Sequence, residues 1–244
     1  KHVTTYARAD SIARKSVSEL RELKTAGIEH LYCGMETGSD LILRKINKGF
    51  DTATIIISGT KAKEAGMVLS EFTLFGIGGK ELAEENAVET AKVLNVIKPD
   101  FVRVHATGIK LSSEMWNYVK NKELTLQSEE EIVSEQKIML ELLADDMDCI
   151  YMNEHIVNLL LEVRGNIRTD KQNMLETINT YLQLPKQEQE LFNLGRRLNI
   201  MFFLADLNNR AKRKQTEEGL RKIKTQNPDL DLAFVCNYVR QTQI

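Results

Sequence analysis

The sequence predicts an α/β protein: a partial parallel (β/α) barrel followed by an α-helical C-terminal extension. Short apolar runs alternate with amphipathic segments at a repeat of about 35 residues, which is typical of a parallel sheet or barrel. Polar residues and glycines follow the apolar runs. Strand patterns mostly vanish after Ser128, where helical periodicity takes over. The expected domains are residues 1–127 for the barrel, 128–184 for helices packing on it, and 185–244 for a helical appendage.

The elements follow from local patterns along the chain. β-branched and aromatic runs predict strands at residues 2–7, 30–36, 67–75, 101–106 and, more briefly, 149–152. Periodic apolar positions predict helices at residues 16–26, 40–46, 52–65, 82–96, 129–144, 154–163, 170–183, 186–207, 210–225 and 229–241. Ser39 is expected to cap the second helix, and Asp51 or Thr52 the third. Gly27, Gly49 and Gly66 are placed to end helices.

Composition restricts the class of protein. Apolar residues make up 42% and charged residues 28% of the chain, as in ordinary globular proteins. The net charge of -2 argues against attraction of the whole chain to nucleic acid or to anionic membrane. The sequence shows neither a signal peptide nor an apolar run approaching the roughly 20 residues of a membrane span. We therefore expect a cytoplasmic protein without a membrane partner.

Three cysteines lie far apart in the sequence, and none belongs to a CxxC motif. This spacing indicates neither a zinc site nor a disulfide framework. Cys33, Cys149 and Cys236 are expected to be buried or half-buried thiols in a reducing compartment. No metal site is therefore assigned to this chain.

Polar and glycine residues follow four of the predicted strands. In parallel sheets ligands bind where the strands end, so these residues are expected to converge on one edge. They are residues 6–8, 36–39, 76–79 and 105–108. The sequence therefore places a candidate ligand site at the carboxyl ends of the strands.

Each of these residues has two interpretations. Glu36 can bind ribose hydroxyls or a cationic amine, or it can be a carboxylate stabilised by the dipole of the next helix. Glycines 76, 78 and 79 either let a ligand approach the backbone or form a purely structural turn. His105 points either into the mouth of the strands or onto the helix layer. The residue patterns alone leave these alternatives open.

Two other functions remain open. One is an unrelated α/β protein that binds phosphate at the strand-end glycines. The other is a non-catalytic module that binds RNA or a protein through the basic helices of residues 196–225. The run Arg210-Ala-Lys-Arg-Lys214 makes that part locally basic, although a solvated helix face also explains it.

Two stretches resemble the radical S-adenosylmethionine (radical SAM) enzymes. "AGIEHLYCGMETGSDLILRKINKGF" is similar to their fourth strand and following helix, with a Gly-x-Glu/Gln-Ser/Thr-Gly-Ser/Asn strand end. "FTLFGIGGKELAEENAVETAKVLNVIKPDFVRVH" is similar to the next unit, and "YARADSIARKS" to the end of the third strand. The resemblance covers about residues 3–165, and it is nearest to the oxygen-independent coproporphyrinogen III oxidase-like proteins.

The resemblance implies the last strands of a (β/α)6 barrel that binds S-adenosylmethionine. It assigns Glu36 to the cofactor ribose and Lys48 to the carboxylate or ribose of the same ligand. It also assigns to cofactor binding Ser39, the turn containing Gly76, Gly78 and Gly79, and the strand end containing His105, Thr107 and Gly108. In the intact parent it implies a [4Fe–4S] cluster, a reductant such as flavodoxin or ferredoxin, and a 5′-deoxyadenosyl radical that removes hydrogen from an unidentified substrate.

The sequence departs from the family pattern at several points. Gly78 stands where proline is usual, Lys80 replaces glutamate, and Leu111-Ser112-Ser113 replaces a Pro-Gly-Thr-Pro loop. The Cys-x3-Cys-x2-Cys loop that binds the cluster is absent, and the chain begins without Met inside a predicted strand. We therefore expect a fragment that orients the cofactor but does not turn over by itself.

Overall fold

Residues 3–226 and 230–243 are described by a computed structural model, in which one six-stranded sheet runs through the molecule. The strands are β1 (Val3–Ala7), β2 (Ile28–Glu36), β3 (Val68–Phe75), β4 (Phe101–Ala106), β5 (Ile150–Met152) and β6 (Gly165–Asn166). They lie in sequence order. The first five are parallel, and β6 pairs antiparallel with β5. The predicted α/β fold with a helical C-terminal part is confirmed.

Helices separate the strands and form the C-terminal part. The helices of the first half are α1 (Ala9–Ala13), α2 (Val17–Thr25), α3 (Asp40–Lys45), α4 (Thr52–Glu64), α5 (Ala83–Ile97) and α6 (Glu114–Lys120). The helices of the second half are α7 (Glu129–Leu142), α8 (Ile167–Leu182), α9 (Lys186–Arg197), α10 (Arg210–Gln226) and α11 (Leu232–Thr242). Short 3-10 turns stand at Lys80–Leu82 and Leu204–Asn208.

The two faces of the sheet differ in chemistry because successive side chains point to opposite sides. One set of alternate residues is apolar and buried in the main hydrophobic core, for example Met35 in β2 and Val104 in β4. The opposite set, which we call the inner face, is half-buried and consists mainly of rings and polar groups. The inner face comprises His30, Tyr32, Phe72, Phe101, Arg103 and His105.

Helices α3 and α4 begin with the caps predicted from the sequence, and α7 has a cap that was not predicted. The Ser39 hydroxyl accepts the amide of Ile42 at the start of α3, and Asp51 accepts the amide of Thr54 at the start of α4. Ser128 begins α7 with a capping box, in which its side chain and that of Glu131 bond each other's backbone amides. These caps place α3, α4 and α7 at the strand ends.

Two predicted helices are wrong in whole or part. Residues 154–163 form turns. The side-chain amide of Asn153 donates to Leu160 O, and that of Asn158 donates to Val104 O. The helix predicted at 186–207 ends at Arg197, and Asn199 adopts a left-handed backbone. Helices α1 and α6 and strand β6 were not predicted. His2 and residue 229, which were included in predicted elements, lie outside the described residues.

The C-terminal helices are joined to the sheet by buried charge. Glu129, at the start of α7, bonds Arg197 of α9 at 2.8 Å through both carboxylate oxygens and also bonds Arg240 of α11. Burial alone would raise the pKa of Glu129, but Arg197 and Arg240 lower it to about 2. This triad connects residues of the second and third predicted domains, and the domain boundaries remain a prediction.

Among the helices built by residues 3–226 and 230–243, none has both the length and the apolar composition to cross a bilayer.

Candidate functional site

The end of β2 carries a strained glutamate. Glu36 has a backbone φ of 64°, a left-handed conformation that costs about 1–2 kcal/mol in a residue with a Cβ. A bulge between Gly34 and Glu36 accompanies it. A Cβ on Gly34 would lie 2.6 Å from Glu36 Oε1, so the carboxylate folds back over the inner face at this glycine. Such strain is expected where a side chain must be aimed at a ligand.

Lys48 holds this carboxylate. Its Nζ lies 2.7 Å from Glu36 Oε1, and both side chains keep partial exposure of 17% and 22%. Helix α3 ends just before Lys48, where Asn47 is left-handed and the Lys48 amide bonds Leu43 O. Ser39 caps α3 instead, and Asp40 places a negative charge in its first turn. Glu36 is therefore paired with a cation and not used as a helix cap.

Positive charge extends from Lys48 toward β1. The Arg8 guanidinium donates to Lys48 O at 3.1 Å, and it lies 5.2 Å from the centre of the Phe50 ring. Lys48 Nζ lies 5.5 Å from the same ring. Arg8 is itself paired with Asp10 at 3.0 Å. The strand ends thus present two carboxylates, two cations and a ring, a set that suits a ligand with both an amine and a carboxylate.

The glycine turn after β3 is filled by the protein itself. The Gly76 amide donates to Glu135 Oε2 at 3.0 Å, the Gly79 amide to Gly76 O, and the Lys80 amide to Thr125 O. A Cβ on Gly79 would meet Leu124 at 2.7 Å, and one on Gly78 would meet Ile42 at 2.9 Å. These three amides are therefore not free to cradle a phosphate.

Glu135 organises this turn. Its carboxylate also accepts the side-chain amides of Asn86 at 2.6 Å and Gln127 at 2.8 Å. Burial raises its pKa to about 7, although these three hydrogen bonds act in the opposite direction. Helix α7 thus holds the turn in place through Glu135.

The end of β4 is enclosed on two sides. Asn158 bonds the Ala106 amide at 2.8 Å and Val104 O at 2.7 Å, as a neighbouring strand would. On the other side Asn237 of α11 bonds both the amide and the carbonyl of Ile109, and Arg240 bonds Thr107 O. Gly108 faces α11, since a Cβ there would lie 2.9 Å from the Gln241 backbone.

His105 lies on the inner face, not on the helix layer. Its ring is 4.2 Å from that of His155 and 5.5 Å from that of Phe72, measured between centroids. Burial, with some contribution from His155 and Arg103, lowers the pKa of His105 to about 4. The imidazole is therefore neutral near pH 7.

The residues assigned to one site are only partly together. Glu36 and Lys48 are in contact, and His105 shares their face of the sheet. Ser39 is buried and donates to Glu85 of α5. Gly76 and Gly79 lie against residues 124–132, and Gly78 lies against Ile42 and Leu82. Thr107 and Gly108 lie beside α11.

Sequence reasoning missed the inner face. Tyr32, Phe72 and Arg103 were treated only as parts of buried strands. The available signal was the period of two in "FVRVHA", where Phe101, Arg103 and His105 alternate with small apolar residues.

The basic-surface alternative loses two of its residues. Arg196 and Arg197 are buried, and they bond Ile156 O and Glu129 respectively. The statement that they contribute to an RNA-binding face is wrong. Exposed cations of α10 such as Arg210 and Lys214 still permit that alternative.

The cysteines do not fit an iron–sulfur cluster. Cys33, Cys149 and Cys236 are buried in β2, before β5 and in α11, respectively. Burial raises the pKa of Cys149 and of Cys236 to about 12, and it raises that of Cys33 as well. Among residues 3–226 and 230–243, no group of three metal-binding side chains comes together.

Comparisons with known proteins support the fold. No protein-family model matches the chain, and no curated protein matches it. The structure is similar to that of the archaeal Elp3 of Methanocaldococcus infernus with an N-terminal deletion, at 15% sequence identity and a TM-score of 0.55. The match covers 75% of this chain and 41% of that chain, so our chain spans about two fifths of the neighbour's length. The narrower likeness to coproporphyrinogen oxidase-like proteins is not supported. The chain therefore has an α/β fold similar to that of this neighbour.

Proposed function

We propose that this chain forms the S-adenosylmethionine-binding C-terminal part of a cytoplasmic radical SAM enzyme. The observation that carries the proposal is the strained Glu36, whose carboxylate lies over Gly34 and bonds Lys48 at 2.7 Å. The radical SAM-like fold and the motif around Glu36 support the same assignment.

The two side chains have separate roles in this proposal. Glu36 keeps one carboxylate oxygen for ribose hydroxyls or the ligand's amine, because only Oε1 is bonded to Lys48. Lys48 then offers its charge to the ligand's carboxylate. His105, which is neutral near pH 7, contributes an uncharged ring beside the adenine. S-adenosylmethionine, when bound and reduced, supplies a 5′-deoxyadenosyl radical for hydrogen abstraction in this superfamily.

The cluster that delivers the electron would not come from the cysteines described above, because all three are buried. We therefore expect residues 1–244 to bind the cofactor without cleaving it. The substrate is left open here, and the reductant is proposed to be a flavodoxin or ferredoxin.

Calorimetric titration of the chain with S-adenosylmethionine tests the proposal. We expect saturable binding that weakens about tenfold or more in K48M or E36Q, since a charge-assisted hydrogen bond is worth roughly 1.5–3 kcal/mol. The matched control is D146N, which breaks the exposed Lys98–Asp146 ion pair of 2.8 Å on another part of the surface. The proposal fails if the parent chain does not bind, or if both sets of variants bind alike.

A further inference from the structure

The inner face presents a row of rings around one cation. Tyr6, Tyr32 and Phe72 lie 5.3–6.2 Å from one another between centroids, and Tyr6 is 77% exposed. The Arg103 guanidinium lies 4.8 Å from the centre of the Tyr32 ring and 5.9 Å from that of Phe72. Aromatic residues at this density are expected either in a core or where a flat ligand stacks.

Arg103 has no carboxylate partner in the part of the chain that the structure describes. Its Nη2 donates to the Tyr32 hydroxyl at 3.1 Å, and its Nε is buried without a hydrogen-bond partner. Arg197 and Arg240, by contrast, both bond the carboxylate of Glu129. A half-buried guanidinium that lacks an anion retains an unmet electrostatic demand.

The surrounding polar groups are uncharged. His30 Nε2 lies 2.8 Å from Ser70 Oγ, and burial followed by the nearby Arg103 lowers the pKa of His30. Of the acids near this face, Glu36 is neutralised by Lys48 and Asp100 by Lys63. The face is therefore aromatic and positively charged near pH 7.

We propose that the inner face binds a planar aromatic ring that carries an anionic group, with the ring against Tyr32 and Phe72 and the anion on Arg103. Charge complementarity selects this occupant. An aromatic cation would meet Arg103 unfavourably, and an uncharged aliphatic group would leave its donors unpaired. As the substrate class of the enzyme, the assignment rests on the proposed function; as a binding site, it does not.

Titration with 2-naphthoate, followed by NMR shifts of the His30 and His105 ring protons, tests the site. We expect saturable binding, at least tenfold weaker binding in R103Q, and intermediate binding in R103K, which keeps the charge but not the planar fork. F72L should also weaken binding, because it removes one stacking surface. The matched control R14Q changes an arginine with 72% side-chain exposure and should bind like the parent.

Two matched probes identify the chemistry. Cyclohexanecarboxylate lacks the ring and 2-naphthylmethylamine reverses the charge, so both should bind at least tenfold more weakly. Equal binding of 2-naphthoate to the parent and to folded R103Q overturns the proposal, as does a failure of saturation in the parent. Sedimentation that shows a dimer dissociated by Y6E would assign the face to a second copy and overturn it too.

The two proposals fail separately. Binding of 2-naphthoate without binding of S-adenosylmethionine leaves the anion site standing and removes the proposed function. Binding of S-adenosylmethionine, together with unchanged naphthoate binding in R103Q, leaves the proposed function standing and removes the anion site.

Discussion

Lys48 Nζ lies 2.7 Å from Glu36 Oε1, although twelve residues and helix α3 separate the two in sequence. The contact depends on two left-handed residues, Glu36 itself and Asn47 just before Lys48. The left-handed residues before and after α3, Glu36 and Asn47, thus bring the two members of this ion pair together. A protein that needed only a turn here would be expected to use glycine or asparagine at position 36.

Replacing Glu36 should separate stability from binding. We expect E36G to be more stable than E36A by about 1 kcal/mol, because glycine adopts the left-handed conformation without a Cβ penalty. Urea unfolding of both variants measures this difference. Both should lose affinity for S-adenosylmethionine equally, since both lack the carboxylate. Equal stability of the two variants would contradict the assigned strain.

Glu71 should make stability fall as the pH rises. It is fully buried on the core side of the sheet, beside Cys33 of the neighbouring strand, and its carboxylate oxygens have no hydrogen-bond partner. Burial raises the pKa of Glu71 to about 8, so the folded state keeps a proton that the unfolded state loses above its usual value of 4.5. Stability is thus lost as pH rises from 4.5 to 8. We expect E71Q to be more stable than the parent by roughly 2–4 kcal/mol at pH 8.5 and similar at pH 4.5.

Unfolding of E71Q and the parent across this pH range gives the test. The exposed Glu218 on α10 offers a control, and E218Q should follow the parent at every pH. A constant offset between E71Q and the parent would mean that Glu71 does not bind a proton on folding.

His105 should make stability fall as the pH falls, which is the opposite of the effect of Glu71. Because burial lowers its pKa to about 4 from 6.5, the unfolded state takes up a proton first as the pH falls. Stability is then lost between pH 6.5 and 4, by about 1–2 kcal/mol after allowance for solvent screening. H105F should reduce this acid loss in thermal unfolding. An unchanged slope in H105F would exclude the assignment.

Asn237 should control the loop after β4. Removing its side chain in N237A leaves the Ile109 amide and carbonyl without partners, at a cost of about 1–3 kcal/mol. We expect the Ile109 amide to exchange hydrogen at least tenfold faster. The Ala106 amide, which bonds Asn158, serves as the internal control. N158A should show the reverse pattern, and acceleration of both amides by either variant would indicate global unfolding instead.

Sequence reasoning works here where structure is local. Ser39 and Asp51 cap helices because a hydroxyl or carboxylate reaches amides two or three residues away, and such spacing is visible in the sequence. Strand 101–106 was predicted with its observed ends. The turns of 154–163 were missed, because their side chains bond β4, about fifty residues away.

The site shows the same division. The contact of Glu36 with Lys48 follows from a motif within one β/α unit, whereas the closure of Thr107 by Arg240 spans 133 residues. The buried pairing of Arg197 with Glu129 removes Arg197 from the basic surface proposed for residues 196–225. A charge pattern gives no information about a partner 68 residues away.

The hydrogen bonds between α11 and the loop after β4 affect the order in which the protein folds during synthesis. During synthesis, the sheet can assemble from neighbouring β/α units as each leaves the ribosome. Ile109 must wait for Asn237, 128 residues later, before its polar groups are satisfied. A ribosome stalled within α10 would thus hold a nearly complete sheet whose fourth strand still ends in a loose, unpaired segment.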